Sequence, residues 1–214
     1  MQLILASTSP RRRELLSLLN IPFEVRSPSF DEQLTSDQSA IEQVKRFAIG
    51  KARSVAVQEP AAIVLGSDTV IELDHQVLGK PADVAQARAM LQRLAGRAHQ
   101  VHTAVALVCV TRQIELNGLC TATVRMKGYD KQAHERYLAT GESLGKAGAY
   151  SIQGQGGELI ASIEGDFPTV VGLPLRLVAT LLGQAGLKVP VEIEVLYAMK
   201  PYPNWVCFAN GPPA

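Results

Sequence analysis

The sequence has few of the residues that would cross-link a chain or hold it in a membrane. Only three of its 214 residues are cysteines, and these are widely spaced without a C-x-x-C pair: Cys109, Cys120 and Cys207. Such cysteines are typical of reduced thiols in the cytoplasm rather than of a disulfide framework or a zinc site. No apolar run approaches the roughly 20 residues that cross a bilayer. The start shows no charged leader with a cleavage site, so we predict a cytoplasmic protein without a signal peptide or membrane span.

A strong net charge is missing as well. The 21 lysine and arginine residues nearly balance the 20 aspartate and glutamate residues, which leaves a formal net charge of +1. No overall basic field would attract nucleic acid or an anionic membrane surface, and we expect neither as a partner. The length and the 47% hydrophobic content suit one domain, or two lobes that share a sheet, with a core that needs no cross-links.

Several familiar catalytic patterns are also missing. The sequence contains no Walker A motif, and the glycine cluster at residues 154–157 lacks the strand and helix that frame a dinucleotide-binding motif. The serines have no recognisable histidine and acid partners. His99 and His102 have the spacing of a metal pair, but residues three apart on a strand point to opposite faces, so we do not expect zinc there.

Helical and strand patterns alternate along the chain with short connections, which predicts an α/β fold. Ser9-Pro10 is typical of a helix start. The apolar residues 61–65 predict a buried strand that ends at Gly66, and Asp74-His75 predicts a hairpin turn. The other predicted strands are residues 3–6, 23–26, 70–73, 76–78, 100–111 and 114–126, and residues 149–153 and 158–163 flank a glycine-rich turn. The other predicted helices are residues 39–57, 83–94, 130–138 and 174–182.

The last residues differ from the rest of the chain. Residues 188–214 contain five prolines and the only tryptophan, Trp205. The pattern at residues 191–196 predicts an edge strand, whereas the prolines beyond it disfavour a compact helix. We interpret residues 1–187 as the main domain and residues 188–214 as a proline-rich appendage of unknown role.

The segment STSPRRR, residues 7–13, is a candidate phosphate site. If Ser9 caps the helix, three arginines lie at its start, where their positive charge opposes the positive end of the helix dipole. A bound anion resolves this conflict, because free backbone N–H groups, hydroxyls and guanidinium groups can all bond to it. The alternative interpretation is that the arginines extend into solvent.

Asp68, which follows the predicted apolar strand, is the first candidate for catalysis. A carboxylate at a strand end can bind a hard cation or accept a proton from water. A turn aspartate that bonds its own backbone fits the same pattern.

Phosphate chemistry usually needs further carboxylates and cations beside the first one. Asp31-Glu32, Lys51 and Lys80 are the candidates, although each of them alone could be a surface charge. The amide of Gln153 could read the edge of a base, or it could be a polar residue on an exposed strand face.

Together these segments resemble the Maf family of nucleotide pyrophosphatases. Eight pieces match the family in order: ASTSPRRREL, FDE, A-x-x-KA, GSDTV, GKP, LAGRAHQVHTAVAL, KAGAYSIQGQGG and VVGLPL. Each piece alone is weak, but the ordered set is highly specific and covers residues 1–187, which we interpret as the Maf-like domain. Gly50 departs from the pattern, since a larger residue is common there and glycine costs a helix about 1 kcal/mol relative to alanine.

The resemblance implies a fold and a reaction. The fold is similar to that of the inosine triphosphatases, with an elongated mixed β-sheet flanked by helices and two lobes with a cleft. Members of the family hydrolyse nucleoside triphosphates between the α and β phosphates and need Mg²⁺ or a similar cation such as Mn²⁺. Many of them are homodimers.

The resemblance also assigns roles to single residues. Asp68 takes the position of the general base that activates the attacking water, and Glu32 joins it as a metal ligand. The phosphate-binding positions are matched by Ser7, Arg12, Lys51 and Lys80, and the two lysines are counted with Asp68 as catalytic. The positions that mark the substrate branch hold Arg11, Thr69 and Gln153, which resemble the branch acting on dTTP and UTP rather than the branch acting on 7-methyl-GTP.

We therefore predict a housecleaning pyrophosphatase that removes dTTP, UTP or modified pyrimidine nucleotides from the nucleotide pool. Two alternatives stay open. One is a regulator of cell division that senses nucleotides without significant turnover, and the other is a purine pyrophosphatase of the inosine triphosphatase type. A sensor needs no water-activating carboxylate, so the joint presence of Asp68 and its charged partners favours an enzyme.

Overall fold

The computed structural model describes residues 1–35 and 37–209 of the chain. Within them, a mixed sheet of seven strands is flanked by helices. The strands are β1 (Leu3–Ala6), β2 (Glu24–Arg26), β3 (Ile63–Leu73), β4 (Gln76–Leu78), β5 (Ala98–Cys109), β6 (Ile114–Met126) and β7 (Ile160–Glu164). The helices are α1 (Pro10–Ser17), α2 (Ala40–Ala56), α3 (Val84–Leu94), α4 (Lys131–Ala139), α5 (Phe167–Val171), α6 (Leu175–Gln184), α7 (Ile193–Met199) and α8 (Pro203–Ala209), with short 3-10 helices at Ala147–Ala149 and Gln155–Leu159. The predicted α/β class with a mixed, helix-flanked sheet is confirmed.

The sheet combines parallel and antiparallel pairs. Its order is β2-β1-β3-β5-β6-β7, and β4 pairs with β3 beside this path. β1 runs parallel to both β2 and β3, and Ala6 lies opposite Gly66 in the second pair. All four residues of β1 are buried, as are the first residues of β3, which is typical of parallel strands covered on both faces.

The chain divides into two compact units, which correspond to the two predicted lobes. The first unit contains residues 1–69, 103–120 and 172–199, and the second contains residues 70–102, 121–171 and the described residues from 200 on. Strands β3, β5 and β6 each contribute residues to both units. The first unit has its own buried core around β1, α2 and α6, and the second has one around α3, α4 and β7.

The local signals for helix starts and turns are confirmed. Ser9 caps α1, with Pro10 at its first position. Ser39 begins α2 with a complete capping box, in which Glu42 accepts from the Ser39 backbone and Ser39 accepts from the Glu42 backbone. Leu73 pairs with Gln76 across the predicted hairpin turn, and both turn residues have the positive φ angles that a tight hairpin needs.

The predicted end of the third strand was wrong. The strand does not stop at Gly66 but continues through Asp68 to Leu73. Glycine remains extended here because Gly66 pairs with Ala6 of the neighbouring strand. Asp68 therefore lies within a strand rather than in a turn, which removes the alternative of a turn aspartate.

The two histidines of β5 do not converge, as predicted. The Nε2 atom of His99 lies 2.7 Å from the hydroxyl of Tyr150. His102 contacts Thr121 at 2.8 Å through Nδ1 and Glu72 at 2.9 Å through Nε2. The opposite faces of the strand thus give the two rings separate partners.

The prediction for the appendage was wrong in two respects. The expected edge strand at residues 191–196 is replaced by helix α7, and the proline-rich segment beyond it forms helix α8. Pro203 does not break α8, because it occupies the first helical position, where the missing N–H has no partner to lose. None of the helices in the described part of the chain is long and apolar enough to cross a membrane.

Burial of His99 predicts a dependence of stability on pH. Burial lowers the pKa of His99 from 6.5 to about 4, so the folded protein resists a proton that the unfolded chain accepts near pH 6.5. Stability is therefore lost as the pH falls from 6.5 towards 4. We expect His99 to contribute about 2 kcal/mol to the loss of unfolding free energy between pH 7 and pH 5, measured by urea denaturation.

Replacement of single histidines checks this contribution. His99→Gln should remove most of it and flatten the pH dependence. The matched control is His75→Gln, because the side chain of His75 is 98% exposed, and this variant should keep a steeper pH dependence than His99→Gln. An equally steep loss of stability in His99→Gln would contradict the assignment.

Candidate active site

A buried lysine joins two carboxylates in the first unit. The Nζ atom of Lys51 on α2 lies 2.5 Å from Oδ1 of Asp68 on β3 and 2.6 Å from Oε1 of Glu32. Lys51 and Asp68 are almost fully buried, whereas the Glu32 side chain is 33% exposed. A buried charge needs an opposite charge beside it, and here one ammonium serves two carboxylates. The predicted catalytic residues Asp68 and Lys51 and the predicted metal ligand Glu32 therefore form one cluster.

Gly66 allows the helix to approach the strand closely enough for this contact. A side chain at position 66 would collide with the Ala48 carbonyl oxygen, and its Cβ would lie 2.8 Å from the Ala52 backbone nitrogen. Helix α2 thus lies directly on the bare backbone of β3. Because alternate residues of a strand share a face, the helix that covers Gly66 brings Lys51 beside Asp68.

Phe30 holds the loop that carries Glu32. Its ring occupies the space where a Gly50 side chain would begin, and it packs edge-on against Phe47 with ring centroids 6.1 Å apart. The loop is also tied to α2 where Arg46 donates to the Gln33 carbonyl at 2.7 Å. Gly50, which departs from the family pattern, is therefore the residue that makes room for this ring.

Arg12 lies at the same site. Its Nε donates to the Gly172 carbonyl at 2.9 Å, and its Nη2 donates to Thr69 Oγ1 at 3.2 Å. Burial lowers the pKa of Arg12, while the nearby charges of Asp68 and Glu32 act to raise it. Arg12 thus does not extend into solvent, although the next arginine of the helix is exposed. Its guanidinium keeps further N–H groups with which it can bind a phosphate.

Ser7 and Ser9 fix the loop between β1 and α1. The buried Ser7 donates its backbone N–H to Leu5 and Arg26 carbonyls, and its hydroxyl accepts from the Ser9 N–H at 3.1 Å. Ser9 in turn caps α1. Arg11, on the first turn of α1, is half-buried. The predicted phosphate segment is therefore a fixed strand–loop–helix connection.

For three residues of the site, no role was predicted from the sequence. Ser67 donates to the carbonyls of Ala104 at 2.9 Å and Gly172 at 3.1 Å, and Thr103 lies 2.9 Å from Thr69, hydroxyl to hydroxyl. Gly172 has a φ of 119°, and its carbonyl accepts from both Ser67 and Arg12. All three lie inside family-like pieces of the sequence, but their roles depend on hydrogen bonds between distant parts of the chain.

Lys80 and Gln153 belong to the second unit. Lys80 is exposed and follows strand β4, and Gln153 is half-buried between the two short 3-10 helices. Their roles in phosphate and base binding stay predictions.

The donor set limits the kind of cation that fits. In the described part of the chain, no group of three histidine, cysteine or acidic side chains is placed to hold a metal. Asp68 and Glu32 offer two carboxylates. Two carboxylates suit Mg²⁺ or Mn²⁺, which take their other ligands from water and substrate phosphates.

Comparison with known proteins places most of the chain in one family. A family model described as Maf-like protein matches residues 2–185. The dTTP/UTP pyrophosphatase of Symbiobacterium thermophilum is 50% identical over 185 residues, which are 86% of this chain and 94% of that protein. The dTTP/UTP pyrophosphatase of Moorella thermoacetica is 45% identical over 188 residues, covering 88% and 97%. A solved structure, the Ham1 protein of Staphylococcus aureus, is similar over 59% of this chain and 72% of that chain, with a TM-score of 0.43 and 16% identity.

The close approach of α2 to β3 predicts the effect of a single methyl group. We expect Gly66→Ala to lower the free energy of unfolding by about 1–3 kcal/mol, because the helix must move away from the strand. The matched control is Gly183→Ala in helix α6, where nothing lies within 4 Å of the added carbon. The control should keep its stability or gain up to about 1 kcal/mol in urea denaturation. Equal stability of the two variants would contradict the packing role of Gly66.

Proposed function

The chain belongs to the Maf family, and we propose that it hydrolyses dTTP and UTP to the monophosphate and pyrophosphate. One observation carries the proposal: the buried Lys51 holds the carboxylates of Asp68 and Glu32 together beside Arg12. Carboxylates and cations in one fixed cluster are what phosphate chemistry requires. The high identity to proteins named dTTP/UTP pyrophosphatase supports the substrate class.

Asp68 is proposed as the general base. It accepts a proton from a water molecule whose oxygen bonds to the α phosphorus. The bond from that phosphorus to the bridging oxygen breaks, and its electron pair leaves with pyrophosphate. Asp68 is held by a strand and by a buried partner, so it needs little reorganisation to serve this step.

A divalent cation completes the proposed site. Glu32 and Asp68 would hold Mg²⁺ or Mn²⁺, which when bound neutralises phosphate charge and favours ionisation of a bound water. Lys51 neutralises one of the two carboxylate charges, which lets them lie close together. Its ammonium and the guanidinium of Arg12 also offset the negative charge of a triphosphate.

Other residues are proposed to bind and orient the substrate. Ser7 and the start of α1 offer polar groups to phosphate oxygens. Lys80, in the second unit, is proposed as a further phosphate-binding residue. Arg11, Thr69 and Gln153 are proposed to select pyrimidines. Thr69 is already fixed by its bonds to Arg12 and Thr103, which suits a residue that discriminates between substrates.

The location, the oligomeric state and the domain bounds of the enzyme are also proposals. The family resemblance supports a cytoplasmic homodimer in which residues 1–187 form the catalytic domain. Analytical ultracentrifugation of the full chain would measure the oligomeric state.

Removal of the proposed base tests the reaction. We expect Asp68→Asn to lower kcat for pyrophosphate release from dTTP and UTP by at least about 100-fold, because the amide cannot accept the proton from water. The assay uses a nucleotide panel that includes ITP, with Mg²⁺, and the native protein should prefer dTTP and UTP. The control is Asp37→Asn, an exposed carboxylate of the same unit, which should leave the rate unchanged.

Three other results would each contradict one part of the proposal. Full activity of Asp68→Asn would exclude Asp68 as the base. Preference for ITP would indicate a purine enzyme. Tight nucleotide binding by the native protein, without release from any nucleotide, would exclude the enzyme and favour the regulator.

A further inference from the structure

The appendage packs against the molecule although it lies outside the family match. The match ends at residue 185, and α7 and α8 follow it. In the first unit, Arg176 of α6 forms a two-pronged ion pair with Glu194 of α7, at 2.9 and 2.6 Å. The same guanidinium lies 3.6 Å from the ring centre of Tyr197. Planar guanidinium groups that pair and stack in this way give directed contacts, so α7 is docked in a defined position.

Helix α8 is anchored in the second unit through Trp205. The Trp205 ring is 3% exposed and stacks on Phe167, with ring centroids 5.4 Å apart and an angle of 10° between the planes. The helix also contacts strand β7. A buried tryptophan stacked on a second ring removes a large apolar area from water, which fixes the helix that carries it.

Asn204, the residue before this anchor, reaches the loop of Gln153. Its side-chain amide donates to the carbonyl of Ile152 and, at 3.4 Å, to the carbonyl of Gly154. These are the carbonyls of the residues on either side of Gln153. The Asn204 side chain also lies close to Gly157, because a Cβ added to that glycine would lie 2.9 Å from the side-chain nitrogen of Asn204.

A side chain within the family domain also holds the loop. The carboxylate of Glu142 accepts from the Gln155 N–H at 3.0 Å. Bonds to peptide groups on both sides of Gln153 restrict the backbone that carries its side chain. Restriction before binding removes an entropy cost that a mobile loop would incur when substrate binds.

We propose that Asn204 is a positioning residue for base recognition, through which the appendage holds Gln153 in place. The inference rests on the proposed function, in which Gln153 reads the pyrimidine. Asn204 acts only through the loop and takes no part in the bond-breaking step. Its loss should therefore weaken binding and discrimination between bases while leaving the chemical rate intact.

The main variant is Asn204→Asp in the full chain, which keeps the shape of the side chain but removes both N–H donors. We expect the KM for dTTP to rise by at least about fivefold, with kcat within twofold of the native value. The preference for dTTP over ITP in kcat/KM should fall. Hydrogen exchange of the amides in residues 152–157, measured by mass spectrometry without nucleotide, should become faster.

Two further variants separate positioning from simple stability. Asn204→Gln restores an amide donor and should recover part of the KM and of the exchange protection. Val206→Ala changes an exposed residue of the same helix and should match the native protein in every measurement. An effect on kcat alone would contradict a positioning role.

The exchange measurement distinguishes this inference from the proposed function. If the native protein releases no pyrophosphate, the proposed function fails and the role in base recognition falls with it, while faster exchange in Asn204→Asp would still establish that the appendage orders the loop. Unchanged KM, selectivity and exchange in Asn204→Asp, with an active native protein, would overturn the inference alone.

Discussion

A lysine ammonium taken out of water needs negative charge beside it, and the proposed active site depends on how this protein meets that need. Lys51 contacts Asp68 and Glu32 at 2.5 and 2.6 Å. Burial of a charge without such partners would be strongly unfavourable. The three residues come from a helix, a strand and a loop, so the interaction requires the packing of those elements to be fixed. The two small residues around it, Gly66 and Gly50, provide that packing by letting the strand and the Phe30 ring touch the helix.

A network of hydrogen bonds continues from this cluster. Arg12 bonds to Gly172 and Thr69, and Ser67 bonds to the same Gly172 carbonyl. Arg12 and Lys51 supply two positive charges against two carboxylates, so the cluster is close to neutral. A triphosphate would add negative charge beside Lys51 and Arg12, and its cation would add positive charge beside Asp68 and Glu32, so each added charge would meet an opposite one already in place. The hydrogen bonds hold the site in place before a substrate arrives.

Local signals in the sequence predicted much of the fold. Ser9-Pro10 predicted the start of α1, and Asp74-His75 predicted the hairpin, because caps and turns depend on neighbouring residues. The end of the strand at Gly66 was predicted wrongly, since pairing with β1 overrides local propensity. The helices of the appendage were also predicted wrongly, because their contacts lie far away in the sequence: Arg176 pairs with α7, and Phe167 stacks on Trp205 of α8. Asp68, Lys51 and Glu32 could be named from family-like motifs, but their joint contact could not be deduced from spacing. Gly172 was missed because its role lies in a backbone carbonyl.

The most direct test of the central cluster is a double-mutant cycle on kcat/KM for dTTP, with Lys51→Met, Asp68→Asn and the combined variant. If Lys51 acts chiefly by holding Asp68, and its effect on the triphosphate charge is the smaller one, the two residues work as a unit. The combined variant should then be no more than about threefold less active than Asp68→Asn alone, because coupled losses do not add. Losses that multiply, so that the combined variant falls by the product of the two single effects, would show that the residues act independently and would contradict the role given to this cluster.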